Sequence, residues 1–201
     1  MKNQLDASYW NNRYRNTETG WDTGSITTPL KEYFDQLTDK NVFILIPGAG
    51  NAYEAEYLHT NGFRNVFVCD VAGTPLRNLL KRCPTFDPAH LLHEDFFRLQ
   101  GNKYDLIIEQ TFFCALPPAL RQDYFIKMHE LLRDNGRLAG LLFNDKLNID
   151  KPPFGGRMDE YPAYFEDYFD VKRYEICYNS IKPRAGREIF INLQKKKHEP
   201  A

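Results

Sequence analysis

The residues of this chain whose types and spacing could do chemistry are a pair of glycines and three acids. Gly48 and Gly50 fall in Pro47-Gly48-Ala49-Gly50, directly after the β-branched and apolar run at residues 42–46. That run reads as a strand buried on both faces. Glycines at such a strand end let the backbone turn sharply and approach a ligand with no Cβ in the way. Asn51 is placed to cap a helix suggested by Ala52, Ala55 and Leu58. Twenty residues beyond Gly50, a second apolar run at 66–69 ends in Asp70. Nucleotide-binding α/β folds place there the acid that accepts from a ribose hydroxyl pair. Asp95 and Glu109 close two further strand-like runs, at 90–93 and 104–109. In an open parallel sheet ligands sit beyond the carboxyl ends of the strands, so Asp70, Asp95 and Glu109 would line one crevice. A glycine loop alone also fits any tight strand-to-helix turn; three acids at successive strand ends are harder to read as turns.

The loop argues against one class of ribose ligand. A dinucleotide fingerprint wants a third small residue three positions after the second glycine, so that helix and strand pack closely around a pyrophosphate. Tyr53 occupies that position.

The elements that must position these groups follow from the punctuation of the chain. Thr28-Pro29 opens a helix whose stripe is Leu30, Tyr33, Phe34 and Leu37, and Thr74-Pro75 opens another with Leu76, Leu79 and Leu80. A proline-rich connection from Gln110 to Arg121 leads into a helix with Tyr124, Met128 and Leu131, ended by Asn135-Gly136 and followed by a strand at 138–143. An irregular stretch at 144–156 and a helix at 161–169 precede two last strands, 171–178 and 188–193. Their connection, NSIKPRAG, is too short for a helical crossover, so the pair is antiparallel. His90 and His93 lie on opposite faces of a short strand with no third ligand near in sequence, and they read as structural.

At 201 residues with 42% hydrophobic content, the chain suits one domain spanning 1–201. The 26 basic and 27 acidic residues are mixed along the chain, leaving no basic stripe for nucleic acid. Lys195-Lys196-Lys197 reads as a solvated end. The four cysteines show no C-x-x-C spacing, and three of them sit in or beside apolar runs, which suits buried, reduced thiols. No apolar run approaches the ~20 residues of a membrane span, and the Met1–Asp6 start has no signal-peptide core. A cytoplasmic protein with a small-molecule substrate, and neither nucleic acid nor membrane as partner, is expected; a monomer is compatible with the sequence.

The first forty residues concentrate rings in a polar setting: Tyr9, Trp10, Tyr14 and Trp21, with Trp10 and Tyr14 one turn apart on a helix capped by Asp6. Two readings stand, a helix pinned to the core by large rings and a lid of aromatic faces over a cation.

From Trp10 to Leu193 the chain resembles the thiopurine S-methyltransferase family, which includes plant halide and thiol methyltransferases. The resemblance rests on YWNNRYRNTETGWDTG, LIPGAG, DLIIEQTFFCALPPALR, HELLRDNGRLAGLLF and the PPFGG run. It implies an α/β, Rossmann-like class I methyltransferase fold: a mostly parallel seven-stranded sheet with a C-terminal antiparallel strand and an N-terminal helical lid over residues 1–40. It also implies S-adenosylmethionine as cofactor. By this resemblance Trp10, Tyr14 and Trp21 cover the cofactor, Gly48 lies under its methionine part, in the loop that also brings Gly50 to the cofactor, and Asp70 binds the ribose. Asp95 and Phe96 then hold the adenine, Glu109 the methionine end, and Arg121 lies near the substrate. Family members commonly carry Cys at the position of Ala49, Trp at Tyr14, Asp at Glu109 and Gly at Lys151.

Methyl transfer from a sulfonium is an in-line displacement governed by alignment and exclusion of water, so it requires no nucleophile, metal or catalytic triad. An acceptor already ionised near neutral pH, such as a thiolate or a halide, requires no general base. The sequence therefore points to a methyltransferase acting on a thiol, thiopurine-like, hydrosulfide, halide or thiocyanate acceptor. The alternatives are a nicotinamide-dependent (NAD) oxidoreductase on a similar sheet and a non-catalytic S-adenosylmethionine-binding protein.

Overall fold

The computed structural model describes residues 5–101 and 103–197; residues 1–4 of the polar start, and residues 198–201 at the end of the expected domain, lie outside the described residues. Asp6 caps α1 (Ala7–Arg15) by accepting the Tyr9 amide at 2.9 Å. The next helix, α2 (Thr28–Asp35), starts one residue after its cap, Thr27, with Pro29 in the first turn. The Thr27 hydroxyl does not cap; it reaches Gln110 Oε1 at 3.3 Å.

Then comes β1 (Ile44–Pro47), buried at all four positions. Because side chains alternate along a strand, Ile44 and Ile46 enter one core and Leu45 the other. Strand-helix alternation continues with α3 (Tyr53–Thr60), β2 (Val66–Cys69), α4 (Gly73–Arg82) and β3 (Leu91–Leu92). It goes on through β4 (Tyr104–Gln110), α5 (Arg121–Leu131), β5 (Leu132–Phe143) and α6 (Pro162–Phe165), and closes with β6 (Phe169–Ile176) and β7 (Glu188–Lys195). The seven strands form one sheet in the order β3-β2-β1-β4-β5-β7-β6. Strands β1 to β5 pair in parallel, and β7 runs antiparallel to both β5 and β6. On one face α2, α3 and α4 cover the sheet through Leu30, Phe34, Ala55, Leu58, Leu76 and Leu79. On the other, α5 and α6 do so through Tyr124, Phe125, Met128, Leu131 and Phe165. Burying each of the Leu, Phe and Met side chains contributes about 1.5–3 kcal/mol.

Strand order reverses between β1 and β4, where crossovers leave to opposite sides and open a crevice at the carboxyl ends. Since β7 is antiparallel, its first residue, Glu188, lies opposite Phe143 at the end of β5. The β6–β7 connection therefore borders the same crevice.

Several local expectations are corrected. Asn51 does not cap α3; that position falls to Ala52, in the left-handed region at φ 56°. The Asn51 side chain instead donates to Asp22 and accepts from Asn78 at 2.9 Å. Asn135-Gly136 does not end α5, which stops at Leu131. It sits within β5, where the register against β4 jumps from Tyr104–Leu132 to Leu106–Arg137. Residues 133–136 loop out there with Asn135 at φ 64°, and the Arg133 guanidinium grips the opposing Asp105 carboxylate at 3.1 Å. The expected helix at 161–169 shortens to α6, because Phe169 is buried and pairs with Lys195 in the sheet. The strand expected at 90–93 keeps only Leu91 and Leu92. His90 packs on Phe67 at 4.2 Å, and His93 Nε2 lies 3.0 Å from the Val71 carbonyl. Lys195 and Lys196 are not merely solvated: their ammonium groups donate to the Leu132 and Glu166 carbonyls at 2.7 and 2.6 Å. All four cysteines are free and buried. Among the described residues no helix is long and apolar enough to cross a membrane.

Candidate active site

A cavity of about 1120 Å³ runs along the carboxyl ends of the strands. Its floor is the loop after β1. Gly48 and Gly50 both have positive φ, 55° and 54°, so an L side chain at either is strained whatever the space. The space is also taken: a Cβ on Gly48 would lie 2.1 Å from the Phe112 ring, and one on Gly50 2.9 Å from the Tyr14 hydroxyl. Asp70 secures this loop. Its Oδ2 accepts the Gly50 amide at 3.1 Å and its Oδ1 the Ala72 amide at 2.8 Å. Burial pushes the Asp70 carboxyl up to about 6, against the opposing pull of the two amides and of His93. Each oxygen keeps a second lone pair for a ligand hydroxyl. Further along the β2–β3 side, Asp95 lines the cavity and accepts the Phe97 amide at 3.0 Å. Phe96 is buried below it, edge-on to Phe112 at 5.3 Å.

The roof is the N-terminal segment. Trp10 and Tyr14, one turn apart on α1, each stand edge-to-face on Trp21, at 5.6 and 5.8 Å. All three line the cavity, and none belongs to either buried core. Burial, with the Asp70 carboxylate nearby, pushes the Tyr14 phenol up. Polar ties hold the roof down. Asn11 Oδ1 accepts both the amide and the hydroxyl of Thr74, at 3.0 and 2.7 Å, and Asp22 accepts from Asn51. Arg184 Nη2 donates to the Trp21 carbonyl at 2.8 Å.

Two expected site residues stand behind the wall instead of on it. Glu109 is fully buried among α5 and the loop after β4. Its Oε1 accepts the amides of Phe112 and Phe113 at 2.8 and 2.9 Å, and its Oε2 the Tyr124 hydroxyl at 2.6 Å. Burial pushes it up to about 7 in spite of these three bonds. Glu109 therefore shapes the turn at Thr111 and Phe112, which do line the cavity. Arg121 is buried against the rings of Phe113 and Tyr161, at 5.2 and 5.7 Å, and donates to the Gly155 carbonyl. It supports the 144–156 segment from behind, while Leu147, Pro152 and Pro153 of that segment face the cavity.

The cations that do face the cavity were not singled out from the sequence. They include Arg184 and Arg187, on the β6–β7 connection, and Arg13, whose guanidinium lies 5.5 Å from the Trp21 ring. Arg184 is 8% exposed, pairs with Glu188 at 3.4 Å, and sits over the Phe143 ring at 5.6 Å. Arg187 pairs with Asp145 at 2.5 Å. The only sequence signal was two arginines flanking Ala185-Gly186 in a hairpin connection, and exposed turns carry such pairs routinely.

The thiopurine S-methyltransferase (TPMT) family profile matches residues 5–197. Among individual proteins, a probable thiol methyltransferase 2 of Arabidopsis thaliana is 30% identical over 197 residues, covering 94% of this chain and 85% of that one. Thiocyanate methyltransferase 1 of Brassica oleracea is 25% identical, covering 94% and 87%. A solved structure with the same fold is the 1,6-didemethyltoxoflavin-N1-methyltransferase of Burkholderia thailandensis, with bound S-adenosylhomocysteine. It superposes with a TM-score of 0.77 at 16% identity, covering 95% of this chain and 87% of that one. The family match sets aside the nicotinamide and non-catalytic alternatives.

The residues present fit S-adenosylmethionine. Two positive-φ glycines let the loop turn tightly beneath Phe112 and Tyr14, a buried carboxylate retains free lone pairs, and aromatic rings form the roof. The cavity exceeds the ~300–1,000 Å³ usual for one small ligand, leaving room for an acceptor beside the cofactor. The chain is an S-adenosylmethionine-dependent methyltransferase and belongs to the thiopurine S-methyltransferase family.

Proposed function

We propose that this enzyme methylates a small, soft acceptor that is anionic or readily ionised: a thiol, thiopurine-like compound, hydrosulfide, halide or thiocyanate. The single observation that carries this reading is the composition of the cavity on the β5–β7 side. There Phe143, Leu147, Pro152, Pro153 and Pro183 present apolar walls, burial pushes the Cys114 thiol up so that it is no base, and the cations are Arg184 and Arg187, which also pair with Glu188 and Asp145. A guanidinium attracts and orients an anion but cannot take its proton, so the acceptor has to arrive ionised. The kinds of acceptor named for relatives, thiols in Arabidopsis and thiocyanate in Brassica, are consistent with this.

The cofactor supplies a methyl group activated on a sulfonium. Asp70 would accept from its ribose hydroxyls, Asp95 and Phe96 would bound the adenine, and the Gly48–Gly50 loop would run along the methionine part. Trp10, Tyr14 and Trp21 would cover the positive sulfur and keep water out. Glu109 and Arg121 act at one remove, by holding the β4 loop and the 144–156 segment in place. Alignment of acceptor and methyl then supplies the rate, and no group of this chain has to move a proton.

The test is a panel of thiocyanate, iodide, hydrosulfide, aromatic thiols and thiopurines beside catechols and amines, read as S-adenosylhomocysteine formed. The soft anions should dominate, and Arg187→Met should raise their KM more than it lowers kcat. Preference for oxygen or nitrogen acceptors would refute the reading.

A further inference from the structure

The Arg184 guanidinium touches both halves of the site. One arm, Nη2, donates to the Trp21 carbonyl at 2.8 Å; the other, Nη1, lies 3.4 Å from Glu188 Oε1 at the start of β7. Its plane sits over Phe143, and the residue also lines the cavity on the β5–β7 side. Trp21 in turn carries the roof, because the Trp10 and Tyr14 rings both stand on it, and its Nε1 lies 3.9 Å from where a Cβ on Gly50 would be. A single buried side chain thus joins the segment that covers the cofactor to the connection that faces the acceptor. Two partners from different parts of the chain, residues 21 and 188, set its orientation. Were the roof to lift, the guanidinium would keep Glu188 but lose the Trp21 carbonyl, and with it the second of its two fixed directions.

We infer that Arg184 is a positioning residue that couples the two ligands. Closure of the Trp21 segment over the cofactor orients Arg184, and only then does the acceptor side bind a soft anion tightly, so that binding is ordered with the cofactor first. This rests on the acceptor class proposed above. By linkage, the factor by which the cofactor tightens the anion equals the factor by which the anion tightens the cofactor.

The experiment measures binding, without turnover. The affinity of 4-nitrothiophenolate is titrated with and without saturating S-adenosylhomocysteine, which has no methyl to transfer. Closure is followed in parallel by tryptophan fluorescence, since Trp10 and Trp21 are the only two tryptophans of the chain and both line the cavity. In the wild type, S-adenosylhomocysteine should tighten the thiolate by roughly tenfold, within the usual range of coupling. Because removing Arg184 alone strands the buried Glu188 carboxylate, the main variant is Arg184→Met with Glu188→Gln. It should bind S-adenosylhomocysteine within a few-fold of wild type, which also shows that it folds, while the coupling factor falls to about one. Arg184→Lys, which keeps a donor for the Trp21 carbonyl, should recover part of the factor. Equal weakening of the thiolate with and without S-adenosylhomocysteine in the double variant would make Arg184 an anion ligand only and overturn the coupling. So would a wild-type factor of one in an enzyme that methylates the thiolate, and that result leaves the acceptor reading standing. If the wild type neither binds nor methylates the thiolate while turning over oxygen or nitrogen acceptors, both fall.

Discussion

The Gly50 amide donates to Asp70 Oδ2 at 3.1 Å, so the acid at the end of β2 holds the glycine loop at the end of β1. The same carboxylate fixes the start of α4 through the Ala72 amide. One side chain therefore sets the spacing of the two loops, and it lines the cavity between them.

Asp70→Ala should accordingly weaken S-adenosylhomocysteine binding. A hydrogen bond to a charged group contributes about 1.5–3 kcal/mol, which corresponds to roughly a 10- to 150-fold rise in Kd. Calorimetric titration checks it; a Kd within twofold of wild type would remove Asp70 from the cofactor site.

Stability and cofactor affinity should respond oppositely to pH. Burial raises Asp70 to about 6 and Glu54 and Glu109 to about 7, from the ordinary carboxylate values of 3.8 and 4.5. The folded state then holds more protons than the unfolded one between each pair of values, so the contribution of these groups is most favourable at low pH and declines as pH rises through about 6 to 7. The ligand-free protein should melt at a lower temperature at pH 8 than at pH 6.5. Affinity for S-adenosylhomocysteine should instead fall below about pH 6, as Asp70 takes up a proton and loses acceptor capacity. Melting scans and titrations across pH 5.5–8 measure both trends; parallel trends would contradict the assignment.

Glu109→Gln should be a stability variant. The carboxyl accepts three hydrogen bonds in full burial, and Gln can satisfy two amides and a phenol only partly. A loss of about 1–3 kcal/mol is expected, at roughly 2–4 °C of Tm for each kcal/mol in a chain of this length. Its effect on S-adenosylhomocysteine affinity should be smaller than that of Asp70→Ala. A larger effect on affinity, with Tm unchanged, would return Glu109 to direct contact with the ligand.

Trp21→Ala should discriminate between cofactor and product. A sulfonium over a ring gains about 0.5–2 kcal/mol that the neutral thioether does not. Affinity for S-adenosylmethionine should fall more than affinity for S-adenosylhomocysteine. Since Trp21 lies outside both cores, Tm should change little. A large drop in Tm with both affinities intact would mark the ring as packing.

Much of the scaffold was legible in the sequence because its signals are local. An apolar run followed by Pro-Gly-Ala-Gly can hardly be other than a buried strand with a tight turn, and β1 appears there. Asp6 caps α1, Thr28-Pro29 and Thr74-Pro75 fall in the first turns of α2 and α4, and a connection too short for a crossover makes β6 and β7 antiparallel. Asp70 was legible for the same reason: a strand end fixes where the backbone carries it, and its partner, the Gly50 amide, is one loop away.

What only the tertiary structure decided is which way side chains point once elements from distant sequence meet. Glu109 ends its run as Asp70 does, yet it shares the strand face of Ile107 and turns toward α5, where Tyr124 and two amides compete successfully for its oxygens. Asn51 looked like a cap because capping is a local option, but Asp22 and Asn78, brought close by folding, take its amide. Asn135-Gly136 looked like a helix end; the pairing of β5 with β4 made it a bulge. The exchange of Arg121 for Arg184 and Arg187 at the cavity has the same cause. Arg121 is drawn behind the wall by Phe113, Tyr161 and the Gly155 carbonyl, whereas the antiparallel return of β7 carries residues 184 and 187 to the mouth of the crevice. Local sequence encodes backbone propensity within a few residues, while the direction of a charged side chain is settled by desolvation and by partners up to 163 positions away, as between Trp21 and Arg184.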